Sequence, residues 1–147
     1  MRFVFSVMVQ EVVPGPPAVA FALGADMESY PQFMDAVKSL KVLQRNGNVQ
    51  KSAWAALFQG KLIRWIEEDV FDEVAHTITY HQLEGDLKTF QGIWRFVAEG
   101  EGTRISLTVE ADLGIPMLAG LLDPVARLIT KRNCESMLSG IKARLSR

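Results

Sequence analysis

From Val49 to Asp112 apolar and polar residues alternate over short runs separated by turn residues. That period of two is the mark of antiparallel strands. From Pro116 to the C-terminus the pattern becomes that of one long helix, about 45 Å if unbroken at 1.5 Å per residue. Strands closed by a terminal helix predict an α+β fold. A curved sheet grips the helix and leaves a cavity between them.

Ahead of this block, Arg2 to Val13 is rich in Val and Phe and suits a first strand. Pro14-Gly15-Pro16-Pro17 ends it, and Ala18 to Ala25 reads as a short helix. Asp26 is placed to cap a second short turn, Met27 to Tyr30, which Pro31 limits. Lys38 to Arg45 reads as the second strand, leaving through Asn46-Gly47-Asn48.

The hairpins predict which side chains share a face. A two-residue turn at Gln59-Gly60 sets Leu57 opposite Leu62, Ala56 opposite Ile63 and Trp54 opposite Trp65. The face carrying Trp54, Ala56, Ile63 and Trp65 then continues through Glu67 and Asp69. A turn centred on Glu73 and Val74 sets Asp69 opposite Ile78, Glu67 opposite Tyr80 and Trp65 opposite Gln82. Leu87 to Val97 and Thr103 to Ala111 supply two more strands, joined by Ala98 to Gly102, and Gly114 and Pro116 mark the exit into the helix. Pro124 is expected to kink or divide that helix. Leu118, Leu121, Leu122, Val125, Leu128 and Ile129 form its apolar stripe, roughly continued by Met137, Leu138, Ile141 and Leu145.

Composition narrows the function classes. The 147 residues fit one domain, 1–147, able to bury a core, and 48% are hydrophobic. A formal net charge of −1 gives no reason to expect nucleic acid or an anionic membrane as partner. The basic residues Arg127, Lys131, Arg132, Lys142, Arg144 and Arg147 would suit a ribosomal or RNA contact. Their alternation with Asp123 and Glu135 favours a solvated helix face. No apolar run reaches the length of a membrane span. The lone Cys134 needs no oxidising compartment, and the N-terminus reads as a strand rather than a signal segment, so a cytoplasmic location is expected.

Candidate chemistry is sparse. His76, His81 and Cys134 do not make a metal-ligand cluster, and no Gly-rich phosphate loop opens a helix, so neither metal nor cofactor is expected. Trp54, Trp65, Trp94, Tyr80 and Phe90 either fill the core or line a pocket with flat faces for a ring-containing ligand. Gly85, Gly92, Gly120 and Gly140 read as turn or close-packing glycines in preference to open volume. Glu67 and Asp69 are the sharpest polar candidates. Inside an apolar cavity their carboxyls would have raised pKa values and exchange protons with a carbonyl-rich ligand. The bland and favoured alternative is a bulge that returns both to water, because unpaired buried carboxylates are costly. Tyr80 and Gln82 are candidates for orienting a ligand oxygen.

Several motifs stand in order: Asp26-Met27-Glu28-Ser29-Tyr30-Pro31, the run Glu84 to Trp94, Gly102-Thr103-Arg104, and Asp112-Leu113-Gly114-Ile115-Pro116. Together they resemble the START-like (SRPBCC) superfamily, in its polyketide cyclase/dehydrase and coenzyme-Q-binding branch, over nearly the whole chain. The resemblance implies a helix-grip fold, with seven antiparallel strands around a long C-terminal helix and two short helices after the first strand. It also implies a deep hydrophobic pocket for lipids, quinones or polyketides. Tyr30-Pro31 and Trp65 match pocket-lining positions of bacterial aromatase/cyclases. Where those enzymes carry inward arginines this chain has Asp69 and Gln82, while Arg64 has the opposite parity. The expectation is therefore a binder of a hydrophobic, ring-containing small molecule. Glu67, Asp69 and Tyr80 are its candidate catalytic residues, and Tyr30, Trp54, Trp65, Gln82, Phe90 and Trp94 its ligand-binding residues. A non-catalytic lipid or quinone carrier is the alternative, and either would be a monomer or homodimer.

Overall fold

A computed structural model describes residues 5–112 and 123–147. Ten-residue strand β1 (Phe5–Pro14) leads into helix α1 (Pro17–Ala25) and a 3-10 turn (Met27–Gln32). Strands β2 (Val37–Asn46), β3 (Val49–Phe58), β4 (Lys61–Asp72), β5 (Thr77–Gly85), β6 (Thr89–Glu99) and β7 (Gly102–Asp112) follow, then helix α2 (Asp123–Leu145). The seven strands form one antiparallel sheet in the order β1-β7-β6-β5-β4-β3-β2, and α2 packs along β1. This is the helix-grip architecture.

The β3–β4 hairpin turns at Gln59 and Gly60, whose φ values of 51° and 77° give the left-handed backbone of a tight two-residue reversal. Leu57 therefore pairs with Leu62, Ala56 with Ile63 and Trp54 with Trp65, as the alternation implies. The next hairpin differs from expectation. Asp72 Oδ1 accepts the backbone N–H groups of Val74 and Ala75, and His76 turns at φ 53°, so the loop takes four residues rather than two. Asp69 consequently pairs with Tyr80, not Ile78, and Glu67 with Gln82, not Tyr80. Leu83 is an extra residue in β5, which carries Trp65 opposite Gly85 instead of Gln82. A displacement of two leaves the facing intact, because side chains alternate with that same period.

The expected return of Glu67 and Asp69 to water does not occur. The irregularity belongs to β5, and β4 keeps strict alternation: Ile63, Trp65, Glu67, Asp69 and Phe71 are all buried. Asp26 likewise starts the 3-10 turn through its carbonyl, which accepts from Ser29, and not through its side chain.

Helix α2 buries Ala126, Thr130, Cys134, Leu138 and Ile141, with Ile129, Asn133, Met137 and Leu145 at the margin. Val125 and Leu128, assigned above to the apolar stripe, are 39% and 46% exposed. The stripe's Ile129, Met137, Leu138, Ile141 and Leu145 do turn inward, and the same face also admits small and polar residues that an apolar stripe passes over. Pro124 stands in the first turn, where a missing N–H is tolerated. The Gly114 and Pro116 exit, Leu118, Gly120, Leu121, Leu122 and residues 1–4 lie outside the described residues. Three of the basic residues bind within the chain: Arg127 donates to the Ser6 carbonyl, Lys142 pairs with Glu11 at 3.0 Å, and Arg144 covers the Phe33 ring.

Gly92 shows how tightly the sheet is folded over its contents. A Cβ there would overlap both the Thr108 carbonyl oxygen and the Tyr80 hydroxyl. Gly140 is similarly closed by the Phe33 carbonyl, so both are close-packing glycines. Gly92→Ala is expected to destabilise the protein by about 2–3 kcal/mol, an overpacking cost against backbone that cannot rotate away. Urea unfolding of the variant beside the parent protein measures it.

Candidate functional site

Between the concave sheet face and α2 lies a cavity of about 100 Å³. An apolar cavity of roughly 150 Å³ holds benzene, so this one is scaled to about one ring. Trp54, Ile63, Trp65, Phe90, Trp94 and Leu107 form its walls. Thr130, Asn133, Cys134 and Met137 of α2 roof it. Sequence reasoning missed these roof residues. Their signal was the polar interruption of the helix by Thr130 and Asn133, whose amide clasps the Leu57 carbonyl at 2.9 Å.

The expected ligand-binding residues divide. Trp54, Trp65, Phe90 and Trp94 line the cavity. The indoles of Trp54 and Trp65 stack at 5.4 Å and 15°, and Phe90 meets Trp65 edge-on at 5.2 Å. Tyr30 stands behind this layer: fully buried, it abuts Trp54 and Trp94 and donates its hydroxyl to the Gly24 carbonyl. Gln82 also stays off the wall and donates to the Leu87 carbonyl at 2.8 Å. Of the three candidate catalytic residues, Glu67 and Tyr80 reach the cavity and Asp69 does not. The Tyr80 proton is committed to the Thr108 carbonyl at 2.7 Å, which leaves its oxygen free to accept. His81 is exposed and His76 lies against Phe21, both away from the cavity.

Glu67 and Asp69 are adjacent inward positions of β4, 2% and 0% exposed, with their carboxyls close enough to interact directly. Trp65 Nε1 donates to Glu67 Oε1 at 2.8 Å. Gln50 Nε2 and Ser52 Oγ both donate to Asp69 Oδ2, at 2.9 and 2.6 Å, and Trp54 Nε1 donates to Ser52 Oγ at 2.9 Å. Burial raises the Glu67 pKa well above the usual carboxylate range, and the neighbouring Asp69 carboxyl raises it further against the opposing Trp65 hydrogen bond. A second carboxyl beside it inside an apolar shell thus favours the protonated form of Glu67. Burial likewise pushes the phenols of Tyr30 and Tyr80 up, and the Cys134 thiol up to about 12. Those three groups are therefore neutral at physiological pH.

Among the described residues no arginine or lysine lines the cavity, and no group of three or more His, Cys, Asp and Glu side chains is arranged to hold a metal. No described helix is long and apolar enough to cross a membrane.

The sheet, the gripped helix and the cavity between them define a START-like (SRPBCC) domain. Residues 13–138 match the family described as polyketide cyclase/dehydrase and lipid transport, and the chain belongs to it. TTHA0849 from Thermus thermophilus is 35% identical over 96% of this chain and 97% of that one, with a TM-score of 0.91. The Zhui aromatase/cyclase from Streptomyces sp. R1128 is 20% identical over 99% of this chain and 95% of its own, at a TM-score of 0.86. A START superfamily protein from Mycobacterium smegmatis shares the fold at 16% identity and a TM-score of 0.84, over 96% of this chain and 97% of its own. No protein of curated function matches the sequence.

The carboxyl pair makes stability depend on pH. The folded pKa of Glu67 lies above its unfolded value near 4.5. Its stabilising contribution is complete below that value and is lost as pH rises through the folded pKa, by at most about 1.4 kcal/mol per pH unit. Glu67→Gln removes this loss. The melting temperature of the variant, relative to the parent, is expected to climb between about pH 5 and pH 9. Thermal melts of both proteins across that range give the comparison, and parallel curves would contradict the assignment.

Proposed function

We propose that this protein binds a small, largely apolar, ring-containing molecule in the cavity beneath α2, and that Glu67 exchanges a proton with an oxygen of that molecule. One observation carries the reading: among the described residues, in a wall of three indoles and two phenyl rings, a single buried carboxyl opens to the interior. Flat aromatic faces suit a ring, and a buried carboxyl beside a bound enol or carbonyl-rich ring is equipped for acid/base work. Membership of the polyketide cyclase/dehydrase and lipid transport family supports it. So does the shared fold of an aromatase/cyclase. Cyclisation or dehydration of a polyketide-like substrate is the corresponding activity, with Glu67 and Asp69 moving the proton and Tyr80 accepting a hydrogen bond that orients the substrate.

A larger ligand would need the roof to yield, and Met137, unbranched and flexible, is suited to that. The second reading is a carrier without catalysis. Two facts favour it: Glu67 is the only carboxyl among the described lining residues, and the Tyr80 proton is already engaged.

Two measurements separate these readings. Native mass spectrometry with panels of quinones, aromatic polyketides and lipids is expected to show saturable uptake of a ring-containing ligand. Failure across all three panels removes binding. Product profiles of a reconstituted minimal polyketide synthase, with and without the protein, then test catalysis. Loss of roughly 100-fold or more in the altered product with Glu67→Gln is expected of an essential proton-transfer group. An unchanged profile on adding the parent protein leaves the carrier.

A further inference from the structure

The hydrogen bonds around the carboxyl pair can be assigned direction by direction. An indole N–H only donates. Trp54 therefore occupies the Ser52 oxygen as donor, and the single Ser52 proton goes to Asp69 Oδ2. Gln50 is oriented from its other end: Arg45 Nη1 donates to Gln50 Oε1 at 3.4 Å, which turns the amide N–H toward Asp69. Two donors thus converge on Oδ2. Asp69 Oδ1 is equally buried and accepts no hydrogen bond from the described residues, which leaves it open to the Glu67 acid proton. On the Glu67 side, Trp65 fills a lone pair of Oε1, so the acid proton belongs on Oε2.

We infer that Asp69, held by Gln50 and Ser52, is a positioning residue that draws the Glu67 proton between the two carboxyls, so that Glu67 offers the cavity a hydrogen-bond acceptor and selects neutral ring ligands bearing a hydroxyl. The inference rests on the binding reading above and names the ligand class within it. A phenol or enol O–H meets a lone pair of the buried Glu67 carboxyl. An apolar ring of the same size leaves that lone pair unsatisfied, at a cost typical of a buried acceptor. An anionic ring ligand meets a like charge with no described cation on the wall to offset it. Of the titratable groups on the roof and far wall, Cys134, Tyr80 and, behind the wall, Tyr30 are neutral, so none of them supplies an offsetting charge.

The test uses single-ring probes matched to the cavity: phenol, toluene and benzoate. Affinities are read from the indole N–H signals of 15N-labelled protein, where Trp65 reports Glu67 directly and Trp54 reports Asp69 through Ser52. Phenol is expected to bind roughly tenfold tighter than toluene, the worth of one hydrogen bond to a buried carboxyl, and benzoate at least about tenfold weaker than toluene. Asp69→Asn is expected to bring the phenol-to-toluene ratio close to one. In a Glu67→Gln background the same substitution is expected to leave the ratio unmoved, since Asp69 acts through Glu67. A merely structural role would alter the ratio in both backgrounds. Should Asp69→Asn not fold, Ser52→Ala carries the same comparison, with a smaller fall in the ratio. Equal affinities for phenol and toluene in the parent protein overturn the inference while leaving binding intact. Binding of neither probe overturns both.

Discussion

Two carboxyl groups lie side by side in the interior of this protein, and the surrounding structure accommodates them at every level. Burying one unpaired charge costs several kcal/mol, and burying two in contact costs more. The pair persists because Glu67 carries a proton, and Asp69 is met by Ser52 and Gln50, each fixed by a donor of its own. Replacement by packed apolar residues is the cheaper solution for a core. Retaining the pair where only one member touches the cavity indicates a site built to present a carboxyl in a defined protonation state.

The tryptophans join that polar cluster to the cavity. Trp54 and Trp65 face one another across β3 and β4, stack, and show their rings to the interior, while the Trp65 N–H donates to Glu67 and the Trp54 N–H to the Ser52 hydroxyl that holds Asp69. Each indole therefore performs both of its chemistries at once, an apolar face toward a guest and a donor toward a buried acceptor. Tyr30 fixes this layer from behind, tied to the end of α1 through the Gly24 carbonyl. The short helical segment after β1 thus belongs to the site even though none of its side chains reaches the cavity.

Much of this was legible in the alternation of side chains. The Gln59-Gly60 turn set the β3–β4 register, and parity alone placed Trp54, Trp65, Glu67 and Asp69 on one face. Parity also survived the error at the next hairpin, because the longer Glu73–His76 loop displaced the pairing by two. What alternation does not encode is which strand absorbs an irregularity. The extra residue went to β5, so β4 kept its carboxyls inside, against the usual penalty for buried charge. In α2 the residues Ile129, Met137, Leu138, Ile141 and Leu145 were read onto the inner face correctly, while Val125 and Leu128 were weighted above Thr130 and Cys134. A helix roofing a cavity needs small and polar residues on its inner face as much as large apolar ones.

The volume of the cavity bears on how far family membership extends to a particular ligand. Relatives in fold include an aromatase/cyclase. A space of about 100 Å³ nevertheless matches one ring, not a fused polycycle. Three of its boundaries are stiff: stacked indoles on one side, a sheet locked over Gly92 on another, and the Asn133 clasp joining α2 to β3. Met137 and the edge of Phe90 offer side chains that can swing without breaking a hydrogen bond. On the proposed reading, recognition in such a site would be decided less by how much apolar surface a guest brings than by whether its polar atom meets Glu67, with the buried carboxyl pair supplying the discrimination.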